Sequence, residues 1–179
     1  MKEYPRKMII LDTKRISDSI YISEENARKG FSDGRVVSRF AEEWSGILYG
    51  ITLSNNTNKP GSDGDIQTGN ILLGNVPVGV RSLSENGGIK FQQSKYIGSG
   101  RTCTIENLID SINTIDYEIV VDIADSPRIK FIPIDRTVLL KMISDGVLTP
   151  SGFTRKKFYT VLFGRQLTDD EFELIQIYG

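Results

Sequence analysis

The run Tyr117-Glu118-Ile119-Val120-Val121-Asp122-Ile123 restricts the possible folds more than any other stretch, because it is the clearest core strand in the chain. Ser126-Pro127 turns it into a second strand, Arg128–Ile134. Helical patterns surround this pair. After Ser32-Asp33-Gly34, the residues Val36, Val37, Phe40, Trp44, Ile47, Leu48 and Ile51 fall on one stripe at helical spacing. A helix opening at Thr102 or Thr104 carries Ile105, Leu108, Ile109 and Ile112. Beyond Asp135, Val138, Leu139, Met142 and Ile143 form another stripe that Gly146 ends. Phe153–Phe163 reads as a further helix, and Thr168-Asp169-Asp170-Glu171 as the capped, acidic start of a third. Strands set among helices predict an α/β fold, with a mixed central β-sheet flanked by helices over residues 1–134. Residues 135–179 then form a helical C-terminal appendage packed on that core.

The remaining segments give shorter signals. Met8–Leu11 is an apolar strand, and Ile16, Ile20 and Ile22 have the even spacing of a half-buried strand. Ser23-Glu24-Glu25 starts a helix that stops at Gly30. On the wheel of the helix after Gly34, Glu42 points to solvent and Glu43 lies at the edge of the apolar stripe, within reach of a sheet. Residues 54–64 form a long polar loop of turn formers, after which Asp65-Ile66 opens a strand. Val76, Val78 and Val80 alternate inward, leaving Gly79 and Arg81 on the opposite face. Asn86-Gly87-Gly88 is a hairpin turn. In the strand expected next, Ile89, Phe91, Gln93, Lys95 and Ile97 share one face, where an idle amide and ammonium would be costly.

Composition narrows the chemistry. The chain of 179 residues is long enough for one self-sufficient core. Its single cysteine, Cys103, excludes an intrachain disulfide and a multi-cysteine zinc site. There is no histidine, which removes Ser-His and Cys-His nucleophilic catalysis and the usual zinc ligands. Hydrolysis would have to rest on carboxylates, lysine, tyrosine or a cation. The net charge of -1 argues against a non-specific nucleic-acid coat while still allowing a basic groove balanced by an acidic site. The apolar part of the N-terminus spans only Met8–Leu11, too short for a signal peptide or membrane span, so the expectation is a cytoplasmic protein without a membrane partner.

The order of a helix glutamate, the acidic turn Ser62-Asp63-Gly64-Asp65 and the strand-like Phe91-Gln92-Gln93-Ser94-Lys95 resembles the PD-(D/E)xK nuclease superfamily, which includes many restriction endonucleases. The resemblance covers about Gly34 to Ile134 and implies a restriction-endonuclease-like core. It implies Mg²⁺ bound by Asp65, with Asp63 as the alternative, Gln93 as the second ligand, Lys95 activating the attacking water and Glu43 as the helix acid. A second alignment sets Gly79-x-Arg81 of Pro77-Val78-Gly79-Val80-Arg81-Ser82 in the Glu-x-Lys position, making Arg81 the catalytic cation. The function so implied is a Mg²⁺-dependent endonuclease, type II restriction-like, hydrolysing double-stranded DNA as a homodimer because two strands must be cut. The glycine-rich turn Gly98-Ser99-Gly100-Arg101 leads into a helix and can offer Ser99 and Arg101 to a phosphate. Arg155, Lys156 and Lys157 can grip phosphates as well. The competing expectation is a catalytically inactive DNA-binding or regulatory protein on the same fold.

Overall fold

The computed structural model describes residues 4–51, 77–93, 96 and 100–176, with Arg35 described by its backbone alone. The protein is α/β. Strands β1 (Lys7–Ile10), β2 (Val78–Leu83), β4 (Tyr117–Asp122), β5 (Arg128–Asp135) and β7 (Glu173–Leu174) form one sheet in the order β2-β4-β5-β1-β7. β2/β4 and β1/β7 are parallel, while β4/β5 and β5/β1 are antiparallel, so the sheet is mixed. The short strands β3 (Gly88–Ile89) and β6 (Phe153–Thr154) pair separately. The helices are α1 (Thr13–Ile20), α2 (Glu24–Gly30), α3 (Gly34–Tyr49), α4 (Ile105–Asn113), α5 (Arg136–Ser144) and α6 (Arg155–Phe163). No described helix is long and apolar enough to cross a membrane.

β4 is central because its alternating side chains feed two separate cores. Ile119, Val121 and Ile123 join Val78, Val80, Ile129 and Phe131 under Val37, Ala41 and Leu48 of α3. Val120 faces the other way and joins Leu83, Ile132 and Ile134 under Leu108 and Ile112 of α4, Leu139 of α5 and Phe158 of α6. A strand covered on both faces reads as a nearly continuous apolar run, which is how β4 appears in the sequence. Local caps set the helix boundaries: Thr104, Asp135 and Thr154 each accept a backbone N–H from the first turn of the helix they precede.

Four local expectations need correction. Residues 13–20 are helical because Asp12 accepts the Arg15 N–H as an N-cap and the inward face is Thr13 and Ser17; Ile20 is largely exposed. α3 buries Val37, Ala41, Ser45 and Leu48, a stripe rotated by one residue from the bulkier Val36, Phe40 and Ile47. Small residues at 41 and 45 let the helix sit close to the sheet. Beyond Ile89 the strand stops; Phe91 and Gln92 are adjacent yet both buried, which breaks the alternation, and Lys95 and Ile97 lie outside the described residues. Finally, Thr168 and Glu171 do form their capping box, but only one 3-10 turn follows (Asp169–Glu171). Phe172 turns extended and is buried, and the chain then pairs with β1 as β7.

At the end of β4 the buried Asp122 carboxylate is fully paired. It receives Arg155 Nε at 3.0 and 3.1 Å, Tyr159 Oη at 2.6 Å and the Ala124 N–H at 3.1 Å. Arg155 also reaches Glu85 at 2.8 Å and Asp125 at 2.7 Å, tying α6 to two turns at this end of the sheet. Removing one partner of such a pair leaves a charge buried alone. Arg155→Ala is therefore expected to cost about 3 kcal/mol or more in urea unfolding, well above the cost of Tyr159→Phe. A loss below that of Tyr159→Phe would show that Asp122 does not depend on the guanidinium.

Candidate functional site

A second carboxylate stands on the same face of β4, four residues before Asp122, in a very different setting. Glu118 is completely buried at the register position opposite Gly79 of β2. Its carboxylate fills the space a side chain at Gly79 would need, since a Cβ there would lie 2.6 Å from both oxygens. Two residues along β2, Arg81 brings Nε to 3.4 Å from Glu118 Oε1 and donates through Nη2 to the Gln92 carbonyl at 3.3 Å. Neither Glu118 oxygen has a hydrogen-bond partner among the described residues, and neither do Arg81 Nε and Gln92 Oε1. Gln92 is itself anchored, donating to the Pro150 carbonyl at 2.9 Å.

Buried polar atoms without hydrogen bonds are unusual, and the Glu118–Arg81 pair holds three of them among the described residues. Burial pushes the Glu118 carboxyl up to about 7, even though the Arg81 charge pulls the other way. The sheet edge also holds a third charged group. Glu42 of α3 is mostly covered, with its side chain 13% exposed and bonded to Arg39 at 3.0 Å. Burial raises its carboxyl too, opposed by Arg39 and more weakly by Arg81. The expected order of the two helix acids is thus reversed: Glu43, half exposed and paired with Arg39 at 2.6 Å, faces out. The one-residue rotation of α3 accounts for this.

The other residues singled out in the sequence are dispersed. Asp63, Asp65, Lys95 and Ser99 lie outside the described residues. Gln93 is half-buried in the loop after β3, where its N–H donates to Ser111 Oγ at 3.1 Å. Arg81 stands beside the buried Glu118. Arg101 is exposed, as are Lys156 and Lys157, the latter stacked over Phe153. Arg155 instead points inward to its three carboxylates. Among the described residues no group of three or more acids, cysteines or histidines is arranged to hold a metal ion. Glu118 was the residue missed. Its signal was a carboxylate inside the clearest core strand, the same cost argument that drew attention to Gln93 and Lys95.

Glu118 also makes stability depend on pH in an uncommon direction. With a folded pKa of about 7 against 4.5 unfolded, the native state holds the proton longer. Its contribution is then fully present below pH 4.5 and is lost as pH rises through 7, by at most on the order of 3 kcal/mol. Glu118→Gln is expected to be the more stable protein at pH 8 and to lose that part of the decline, as read from chemical unfolding at several pH values. Parallel stability curves for the two proteins would contradict this account of the carboxyl.

No family model matches the chain, and neither a curated protein nor a solved structure matches it.

Proposed function

We propose that the protein is a Mg²⁺-dependent endonuclease acting on double-stranded DNA, with its reacting centre at Glu118 and Arg81. The observation carrying this reading is the contrast along β4: Asp122 is satisfied by four hydrogen bonds, whereas Glu118 is buried, raised to about 7 and has none among the described residues. Buried groups kept in such a state are candidates for chemistry. The second alignment supports the same choice: Gly79-x-Arg81 lacks the acid of the second motif, and the Glu118 carboxylate fills the space over Gly79.

Two carboxylate oxygens without hydrogen bonds among the described residues would suit a hard divalent cation, which takes oxygen ligands and needs only one or two carboxylates from the protein. In this reading Glu118 supplies one, and Asp65 or Asp63 supplies the other. The cation would polarise the scissile phosphate and its attacking water. An arginine is a poor base and a good phosphate ligand, so the part of Arg81 is to hold a non-bridging phosphate oxygen. Glu42 of α3, bonded to Arg39, lies within electrostatic range of Arg81. Lys95 remains the candidate for positioning water. The non-catalytic alternative, DNA binding on the same fold, draws on arginine rather than lysine at position 81.

The test is cleavage of mixed genomic DNA in Mg²⁺ against EDTA, with binding followed in Ca²⁺. Glu118→Gln and Arg81→Ala are each expected to lower cleavage by about a hundredfold or more while the protein stays folded and bound. Lys95→Ala ranks the two alignments: if its loss exceeds that of Arg81→Ala, the catalytic cation is Lys95. DNA binding without cleavage in the unaltered protein would support the non-catalytic reading, and absence of both would overturn the nucleic-acid function.

A further inference from the structure

Arg81 makes one hydrogen bond among the described residues, from Nη2 to the Gln92 main-chain carbonyl at 3.3 Å. Its Nε stands 3.4 Å from Glu118 without one. The guanidinium therefore takes its direction over the Glu118 carboxylate from residue 92. Gln92 is 2% exposed, which is unusual for a glutamine and more so in a loop. Its Nε2 donates to the Pro150 carbonyl at 2.9 Å, fifty-eight positions along the chain, while its Oε1 is buried without a partner among the described residues. A methionine would fill the same volume without stranding a polar atom, so the amide contributes something that packing does not. We infer that Gln92 is a positioning residue: braced on Pro150, it holds Arg81 in the orientation that faces Glu118.

The surroundings fix residue 92 from both sides. Phe91 is buried edge-on against Phe153, with ring centroids 6.3 Å apart. The Gln93 N–H donates to Ser111 Oγ of α4, which is buried and itself donates to the Asn107 carbonyl at 2.7 Å. On the other side Gly152, at a φ of +73°, brings the turn 149–152 so close to the Ile89 carbonyl that no Cβ fits between them. A flexible arginine side chain needs such a brace if its fork is to meet a phosphate oxygen at a set angle. With one Nη held by a carbonyl, the Nε edge stays turned to Glu118, where the proposed cation and phosphate would sit. The inference rests on that reading of Arg81, and through Pro150 it gives the C-terminal helical residues a part in the centre.

Nuclear magnetic resonance of ¹⁵N-labelled protein tests it, with the Arg81 side-chain signals identified by their loss in Arg81→Lys. In the unaltered protein the two Arg81 Nη groups are expected to give separate signals, because the bond to Gln92 slows rotation of the guanidinium. Gln92→Met keeps the volume and removes the donor. It should merge those signals and speed exchange of the Arg81 Nε–H with water by about tenfold or more. Circular dichroism checks that the variant is folded, and Ser111→Ala, which frees Gln93, should produce a weaker version of the same change. A merely structural glutamine would lower stability and leave the Arg81 signals as they were, which overturns the inference. So does a freely rotating Arg81 in the unaltered protein, a result that needs no variant. DNA cleavage does not enter these readings: protein that cuts nothing removes the proposed function, whereas unchanged Arg81 signals remove only the role of Gln92.

Discussion

The structure turns on one requirement, the burial of two carboxylates on the same face of a central strand. Glu118 and Asp122 flank Val120 on β4 and are almost completely removed from water. A buried ionised group is costly unless paired and hydrogen-bonded. At Asp122 the protein meets that cost with Arg155, Tyr159 and a backbone N–H. This is a structural solution: it ties α6 and two turns to the sheet, and burial still raises the acid against those partners. The open cleft beside it, lined by Arg155, Lys156 and Thr160, adds no unpaired buried group.

Glu118 is handled differently. Among the described residues its close charge is Arg81 at 3.4 Å, too far for a hydrogen bond of ordinary strength. Gly79 is essential to this arrangement, since any side chain there would collide with the carboxylate. The consequence is an acid held near neutrality on the strand next to the edge strand β2, with the arginine of β2 beside it and a second acid, Glu42, within electrostatic reach. Each of these groups comes from a different element, β4, β2 and α3, so the constellation exists only once the sheet has formed. That placement on rigid elements is what a reacting centre needs.

Much of the architecture was legible in the sequence. β4 and β5 announce themselves because strands buried on both faces have little polar interruption, and α5 and α6 because their apolar spacing agrees with their caps. α1 was illegible for the opposite reason: its inward residues are Thr13 and Ser17, so its isoleucines mislead. The register of α3 depended on Ala41 and Ser45, whose small volume matters only when the sheet is in place. The candidate site was legible only in part. Arg81 stood out by its spacing with Gly79, but the buried acid beside it, Glu118, lies thirty-nine residues after Gly79 and becomes a neighbour only through the parallel pairing of β2 with β4. No local motif encodes that pairing.

The most direct test of the central claim is whether a divalent cation displaces the proton that Glu118 holds. Calorimetric titration of the protein with Mg²⁺ or Mn²⁺ near pH 7, repeated in buffers of different ionisation enthalpy, separates binding heat from proton release. The account predicts saturable binding accompanied by net proton release, with the release abolished and the affinity lowered in Glu118→Gln. Binding that releases no proton, or that is unchanged in Glu118→Gln, would contradict it and leave Glu118 with Arg81 as a buried structural pair.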